Sequence, residues 1–303
     1  MSSSPARSRT VALSMPWPQA SLHVADFLAL TKPRLNLLVV ATTLAGYYLG
    51  VKRFDAALLA STAVGTALVA GGAAAFNEIF ERDTDALMLR TRTRPLPGGR
   101  MRVATALWFA LALSLGGLAL LAVGANWLAA GVAAATLSSY ALIYTPLKRK
   151  TSLSTIIGGI PGGLPPMIGW AAATGTLSVE AWVLFAIVFL WQMPHFLAIA
   201  WLCREDYARA SLPMLPVVEP DGRSTAHQVV LYASVLVPVS LAPTLVGLAG
   251  RLYFGGALVL GLIFLALGIQ FARRRTNDTA RRLFLGSISY LPLIWGLMLG
   301  NHL

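Results

Sequence analysis

Long apolar segments separated by short polar ones dominate the sequence. Nine of them, each 16 to 22 residues long, approach the length that crosses about 30 Å of hydrocarbon. They are 36–51, 56–76, 103–124, 126–145, 155–174, 181–202, 228–249, 252–272 and 283–301. Because lipid offers the backbone no hydrogen-bond partner, each segment is predicted to be an α-helix. The pattern therefore predicts an all-α, polytopic membrane protein with about nine transmembrane helices.

The composition agrees with a membrane location. Of the 303 residues, 56% are hydrophobic and 12% are charged, about half the charged fraction of a typical soluble domain. These values exclude a disordered chain, a coiled coil and an ordinary cytosolic enzyme. The single cysteine, Cys203, excludes an internal disulfide and a cysteine-rich metal site. No nucleic-acid partner is expected, because too little polar surface remains to display the basic residues.

A single domain over residues 29–303 is predicted, after an N-terminal tail, 1–28, without a cleavable signal pattern.

The charges divide unequally between the two sides of the membrane. The side with the N-terminus holds 21 of the 24 Lys and Arg residues and 10 of the 12 Asp and Glu residues. Lys and Arg residues are concentrated in the cytoplasmic loops of membrane proteins, so this side is predicted to be cytoplasmic. The predicted location is a bacterial inner membrane. The rule does not explain why 10 of the 12 Asp and Glu residues lie on this side, so these acids indicate a binding site.

Acidic and basic residues follow each other in a defined order after the second apolar segment. Asn77, Glu81 and Asp85 are spaced by four residues, so on a helix they form one stripe of oxygen ligands. Such ligands suit Mg²⁺, which proteins usually hold through carboxylates together with substrate phosphates. Arg90 and Arg94 come next, and guanidinium groups bind phosphate oxygens in a forked geometry. These residues predict a diphosphate site, although a solvated loop rich in salt bridges explains them too.

Two further regions on the same side carry residues of the kinds that a diphosphate site needs. Tyr144 and Lys148 lie at the end of the fourth segment, where the basic run also fits a topology signal. Asp206 follows the sixth segment and suggests a second metal-binding edge. His195 lies about 12 Å inside the sixth segment, at 1.5 Å per residue. An ionisable side chain at that depth indicates a functional site, unless a neighbouring helix hydrogen-bonds it.

The fifth apolar segment is predicted to be broken. Residues 155–170 contain eight Gly or Pro residues, including Pro165-Pro166. Consecutive prolines remove backbone donors and interrupt the helical hydrogen bonds. Irregular backbone at membrane depth occurs only where protein or a cavity covers it. The segment is therefore predicted to line an intramembrane cavity, around which the helices are arranged.

Together these regions resemble the UbiA superfamily of intramembrane aromatic prenyltransferases, and within it the protohaem IX farnesyltransferases. The resemblance runs from Thr31-Lys32-Pro33-Arg34 to the ninth segment. The matching residues are Arg90-Thr91 with Arg94-Pro95-Leu96, Tyr144-Thr145 with Leu147-Lys148-Arg149, Gly158-Gly159 with Pro165-Pro166 and Gly169-Trp170, Trp191-Gln192 with Pro194-His195-Phe196, and Asp206-Tyr207 with Pro213-Met214-Leu215-Pro216. The sequence departs at Glu78 and Glu81, where the family more often has Asn or Asp, and at Ser211, where Gly is common.

The resemblance implies transfer of a farnesyl group from farnesyl diphosphate to a vinyl group of haem b, with water addition, giving haem O and diphosphate. The residues it implies are Asn77, Glu81, Asp85 and Asp206 for Mg²⁺, Arg90, Arg94, Tyr144 and Lys148 for diphosphate, and His195 and Trp191 for the porphyrin. His195 would orient the porphyrin, ligate its iron or handle a proton. Haem is a substrate, because no CxxCH attachment sequence is present. The lipid bilayer and a downstream haem A synthase are the implied partners.

Two alternatives stay open at this point. Another UbiA-type prenyltransferase, acting on a quinone or chlorin precursor, shares the acidic region, although the residues around His195 favour the haem branch. A transporter would also use a broken helix, but transporters are usually built from internal repeats. The acidic spacing of the first half has no comparable copy in the second half beyond Glu205-Asp206.

Overall fold

The computed structural model describes residues 24–303, which form helices, turns and one isolated bridge between Ala249 and His302. The elements are α1 Val24–Leu30, α2 Pro33–Gly50, α3 Ala56–Leu87, α4 Val103–Gly124, α5 Trp127–Ser138, a π-helix Ser139–Tyr144, α6 Thr145–Leu147, α7 Ser154–Gly163, α8 Pro165–Thr174, α9 Val179–Leu202, α10 Arg204–Arg209, α11 Leu215–Val218, α12 Arg223–Leu245, α13 Arg251–Arg274 and α14 Asn277–Gly300. The all-α prediction is confirmed.

Seven helical units in the described part of the chain are long and apolar enough to cross a membrane. They are Ala56–Leu87, Val103–Gly124, Trp127–Leu147, Val179–Leu202, Arg223–Leu245, Arg251–Arg274 and Asn277–Gly300. The first and fifth predicted segments correspond to α2 and to the α7–α8 pair, which pack against each other and against these units. The protein is an integral membrane protein. The count of nine spans and the side of the N-terminus stay predictions.

The predicted end of the tail at residue 28 falls inside α1, which packs on the domain. Leu30 is fully buried, and the ring of Phe27 lies edge-on to Phe109 of α4 with centroids 4.9 Å apart. Arg100 Nε donates a hydrogen bond to the buried carboxylate of Asp26 at 2.8 Å. This ion pair ties α1 to the loop after α3. Residues 1–23 of the predicted tail lie outside the described residues.

The fifth predicted segment is broken, as expected, between Gly163 and Pro165. The α8 side of the break packs closely on α2, because a Cβ atom on Gly169 would overlap the carbonyl oxygen of Thr43. Thr43 Oγ1 donates a hydrogen bond to the carbonyl oxygen of Pro165 at 3.0 Å. Glycine is therefore required at this crossing by the close approach of two backbones.

The α7 side of the break accommodates side chains from its neighbours. A Cβ atom on Gly158 would overlap the ring of Tyr144, and one on Gly162 would overlap the amide of Gln192. Gln192 Nε2 also donates a hydrogen bond to the carbonyl oxygen of Gly159 at 2.6 Å. The glycines thus bring the π-helix and α9 against α7. The intramembrane cavity stays a prediction.

Candidate active site

The site is built around the C-terminal end of α3. This helix has 32 residues, or about 48 Å at 1.5 Å per residue, and exceeds the roughly 30 Å of hydrocarbon. Its first turn is capped by Asp55, whose carboxylate accepts hydrogen bonds from the amides of Ala57 and Leu58. The excess length carries its last turns, with the predicted acidic stripe, toward the polar edge of the membrane.

The acidic stripe forms as predicted and is mostly buried. Asn77 and Asp85 are 2% and 1% exposed, and the side chain of Glu81 is 13% exposed. Glu78, which the family resemblance marked as a departure, joins them with 2% exposure. Asp83 points away, because its side chain is 74% exposed and pairs only with Arg82 at 3.2 Å. The acids of an ordinary solvated loop would be exposed, so the burial of the candidate ligands favours a binding site over such a loop.

Two of the predicted diphosphate-binding cations contact this cluster. Arg94 Nη1 lies 2.7 Å from Asp85 Oδ2, and its Nε lies 3.7 Å from Glu78 Oε1. Lys148 Nζ lies 2.7 Å from Glu81 Oε1. Burial would lower the pKa of Lys148, but the neighbouring Tyr144 and Glu81 outweigh burial and raise it above its usual value. The lysine therefore stays charged, and each buried acid has a counter-charge.

A third cation, Lys32, completes the cluster, although the sequence indicates it only as part of the family resemblance and predicts no site role for it. Its Nζ donates a hydrogen bond to Asn77 Oδ1 at 2.7 Å and lies 4.0 Å from Glu78 Oε1. Burial and the nearby Arg94 lower the pKa of Lys32 to about 8. Its φ of 48° places it in the left-handed region, which is costly for a residue with a side chain. The usable signal was a lysine immediately before Pro33, at the start of a helix.

The π-helix connects the fourth span to the cluster. Thr145 Oγ1 donates a hydrogen bond to the carbonyl oxygen of Tyr140 at 2.8 Å and accepts one from Asn77 Nδ2 at 3.3 Å. The ring of Tyr144 lies 4.6 Å from Lys148 Nζ. π-Helical turns inside α-helices are frequent at functional sites. Lys148 therefore reaches Glu81 of α3, with the Tyr144 ring beside its ammonium group, through a local element that the hydrophobic pattern does not reveal.

Asp206 and Arg90 meet at a neighbouring cleft of about 430 Å³, not inside the cluster. Asp206 Oδ1 accepts a hydrogen bond from the amide of Leu89 at 3.3 Å and another from Arg209. The Arg209 hydrogen bond holds the pKa of Asp206 below its usual value. The guanidinium of Arg90 lies 6.0 Å from the centroid of the Tyr207 ring. Asp206 thus stands beside the segment that follows the acidic stripe.

The carboxylates of the cluster do not converge on one point in groups of three or more. Within residues 24–303, no group of three or more His, Cys, Asp or Glu side chains is positioned to hold a metal ion. Asp85 Oδ1 and Glu78 Oε2 are nevertheless buried without a hydrogen-bond partner among the described residues. Buried polar atoms normally have partners, so these two oxygens are free to accept a hard cation.

His195 and Trp191 lie deeper, at the contact between α9 and α14. His195 Nδ1 is 2.7 Å from Ser287 Oγ, and Trp191 Nε1 donates a hydrogen bond to the Ser287 carbonyl oxygen at 2.8 Å. The His195 ring stacks between Trp191 and Phe284, with centroids 5.1 and 5.2 Å away. A neighbouring helix therefore satisfies the histidine. No contact within the described residues joins this pair to the acidic cluster.

Comparisons with known proteins agree with these features. The model of the UbiA prenyltransferase family matches residues 39–294. A protein named protoheme IX farnesyltransferase from Solibacter usitatus (strain Ellin6076) is 52% identical over 284 residues, covering 90% of this chain and 97% of that protein. One of the same name from Koribacter versatilis (strain Ellin345) is 42% identical, covering 96% of this chain and 97% of that protein.

Solved structures share the fold. The structure of a digeranylgeranylglyceryl phosphate synthase has a TM-score of 0.78 at 16% identity, covering 92% of this chain and 98% of that one. A UbiA homolog from Archaeoglobus fulgidus bound to DMAPP and Mg²⁺ has a TM-score of 0.64 at 15% identity, covering 90% of this chain and 99% of that one. With the family match and the sequence identities, the conclusion is direct: the chain belongs to the UbiA prenyltransferase family.

Proposed function

We propose that this protein transfers the farnesyl group of farnesyl diphosphate to a vinyl group of haem b, giving haem O and diphosphate. The observation that carries the proposal is the buried cluster at the end of α3, where three cations converge on three carboxylates. A relative that is 52% identical bears the name protoheme IX farnesyltransferase, which supports the haem substrate over a quinone or chlorin precursor.

The oxygen donors of the cluster fit Mg²⁺. Asn77, Glu81 and Asp85 would hold the ion, with Asp206 at the second edge of the diphosphate. Asp85 Oδ1 is buried without a hydrogen-bond partner among the described residues, which supports the assignment of Asp85. Glu78 Oε2 is unpartnered in the same cluster and is a further oxygen that the ion could use. The Archaeoglobus fulgidus homolog bound to DMAPP and Mg²⁺ supports metal-dependent prenyl transfer in this fold. When bound, Mg²⁺ would supply neutralisation of the negative charge on the leaving diphosphate.

The cations would then bind the diphosphate oxygens. Arg94 and Lys148 now contact Asp85 and Glu81, and occupation of the site would turn both toward phosphate, with Tyr144 beside Lys148. Arg90 would reach the diphosphate from the side of Asp206. Cations placed in advance where charge develops stabilise a transition state most effectively in a site that excludes water. Their task is to ease the cleavage of the allylic C1–O bond.

The carbon chemistry follows from that cleavage. The allylic C1 atom becomes electron-poor as diphosphate leaves, and the terminal carbon of the haem vinyl group forms the new C–C bond with it. The cation left beside the porphyrin ring takes up water, which loses one proton and leaves a hydroxyl group. An apolar, enclosed site delays water until the C–C bond exists. His195 and Trp191 would orient the porphyrin from the α9 side.

The reaction is proposed at the cytoplasmic face of a bacterial inner membrane. The positive-inside rule supports this side, because the side that carries Arg94, Lys148 and Asp206 holds 21 of the 24 Lys and Arg residues. The catalytic domain would occupy residues 29–303. The product keeps its porphyrin and gains a lipid tail, so a membrane-bound haem A synthase is the proposed consumer.

The decisive experiment incubates the purified, full-length protein with farnesyl diphosphate, Mg²⁺ and either haem b or 4-hydroxybenzoate. Mass spectrometry should find farnesylated, hydrated haem with haem b and no prenylated phenol. Removal of divalent cations with EDTA should stop the reaction, and added Mg²⁺ should restore it. Prenylation of the phenol alone would contradict the haem assignment. Flux of a solute through proteoliposomes without diphosphate release would instead support the transporter alternative.

A further inference from the structure

The outward face of α13 is an apolar stripe that ends in an arginine. Val259 and Leu262 are 57% and 50% exposed, and Ala266, Ile269 and Arg273 continue at spacings of four, three and four residues. Residues three and four apart share one face of a helix. An exposed apolar face on a membrane helix contacts lipid chains, so this stripe leads from the hydrocarbon to a guanidinium group.

A cleft of about 400 Å³ lies at the polar end of this stripe. Its lining residues are Ala266, Ile269, Gln270, Arg273 and Arg274. Apolar side chains occupy one end of the cleft, an amide lies in the middle, and two guanidinium groups occupy the other end. This order matches a ligand with an acyl chain, polar ester groups and an anionic head.

The arginines of the cleft have no acidic partner. Arg273, Arg274, Arg275, Arg281 and Arg282 lie within ten positions of sequence that contain a single acid, Asp278. The ion pairs found within residues 24–303 involve none of these five arginines. The undescribed residues 1–23 contain no Asp or Glu that could pair with them. The positive charge of the cleft is therefore available to an anion from outside the chain.

The cleft lies at the depth of lipid head groups. Helix α13 has 24 residues, from Arg251 to Arg274, and is about 36 Å long at 1.5 Å per residue. This length spans the roughly 30 Å of hydrocarbon and leaves Arg273 and Arg274 in the interfacial layer. Basic pockets at this level bind the head groups of anionic lipids.

We propose that this cleft binds one anionic phospholipid of the bilayer. Arg273 and Arg274 bind its phosphate, the Gln270 amide bonds to its ester oxygens, and an acyl chain lies along Ala266 and Ile269. Arginines at a cytoplasmic helix end also serve as a topology signal and complement the helix dipole. Those roles require positive charge alone, whereas the proposed site also requires the cleft.

The test compares two double variants that lose the same charge, one at the end of α13 and the other near the start of α14. Arg273→Gln/Arg274→Gln changes the cleft, and Arg281→Gln/Arg282→Gln changes the neighbouring helix start outside it. Native mass spectrometry of the purified, full-length protein would measure retained phosphatidylglycerol, with phosphatidylcholine and inorganic phosphate as separate probes. We expect the protein to retain one phosphatidylglycerol molecule. The affinity for this lipid should be about tenfold or more lower in the cleft variant and unchanged in the control variant.

Three outcomes would overturn the proposal. Equal loss in both variants would show that general surface charge attracts the lipid, and equal retention of phosphatidylcholine would show that the head-group charge is not recognised. Displacement of the lipid by inorganic phosphate at equal concentration would assign the arginines to a free phosphate. Ala266→Trp fills the apolar end without changing charge and should also weaken retention, which keeps the test valid if the double variant does not fold.

Discussion

The two regions that the sequence marks for catalysis differ in how their polar groups are satisfied. At the end of α3, buried acids pair with Lys32, Arg94 and Lys148, and two carboxylate oxygens have no partner among the described residues. At the α9–α14 contact, His195 is hydrogen-bonded to Ser287 and stacked between aromatic rings. The first region has charges that a ligand can redirect. The second is packed and hydrogen-bonded already, which suits a wall that positions a substrate.

The strongest test of this contrast is Asp85→Asn. The variant keeps the shape of the side chain but removes a charge that faces Arg94 and is proposed to hold Mg²⁺. We expect haem O formation to fall by about 10³-fold, because charge stabilisation of the leaving diphosphate depends on it. The protein should still be found in the membrane fraction. Asp83→Asn is the matched control, since Asp83 is exposed on the same helix, and should keep near-normal activity. Normal turnover by Asp85→Asn would remove the metal role.

A second test concerns Lys148, which follows the π-helix and the short helix α6. Lys148→Gln removes the positive charge and leaves Glu81 buried without its partner. We expect kcat/KM for farnesyl diphosphate to fall roughly a hundredfold, whereas KM for haem b stays within about twofold. Lys148→Arg should recover part of the loss. Lys150→Gln provides the comparison because Lys150 is exposed on the same loop. Equal losses in Lys148→Gln and Lys150→Gln would assign the effect to the net charge of the loop.

The packed region should respond differently. His195→Ala removes a ring that stacks on Trp191 and Phe284 and a hydrogen bond to Ser287. We expect KM for haem b to rise about fivefold with KM for farnesyl diphosphate unchanged, since a hydrogen bond contributes about 1 kcal/mol. Ser287→Ala should produce a smaller change of the same kind. A rise in KM for farnesyl diphosphate would indicate that His195 acts with the acidic cluster instead.

The smallest effect is expected outside both regions, in the loop between α10 and α11. Ser211, where the family commonly has Gly, has a φ of 52° in the left-handed region and is exposed. A side chain there is strained, so Ser211→Gly should stabilise the protein by about 1 kcal/mol and raise the thermal unfolding midpoint. Turnover should not change. A lower midpoint would show that the flexibility of glycine in the unfolded chain outweighs the strain.

The sequence predicts the features that depend on local periodicity. The apolar segments became helices, the break fell at Pro165, and the spacing of Asn77, Glu81 and Asp85 put them on one buried stripe. Each of these follows from residues that are close in the chain. The acidic stripe could be recognised because four-residue spacing on a helix determines its geometry without any tertiary contact.

The remaining features depend on contacts between distant residues. Lys32 reaches Asn77 across 45 positions, and His195 meets Ser287 across 92. No pattern within one helix reports either pair. The π-helix could not be predicted from the sequence, because its side chains are as apolar as those of an α-helix and only its hydrogen bonds differ. Asp206 is predicted from the sequence to form a second metal-binding edge, but the backbone amide of Leu89 and the Arg209 side chain that hold it at the neighbouring cleft are not apparent from the sequence.

The π-helix also makes the position of Lys148 sensitive to the insertion or deletion of a residue. A π-turn inserts one extra residue into an α-helix, and one residue corresponds to a rotation of about 100° in a helix with 3.6 residues per turn. Deleting a single residue within Ser139–Tyr144 would rotate the following chain and carry Lys148 away from Glu81. The membrane span itself would lose only about 1.5 Å of length. At this point of the sequence, alignment register matters more than residue identity, and relatives of this protein should keep the length of the segment even where its residues vary.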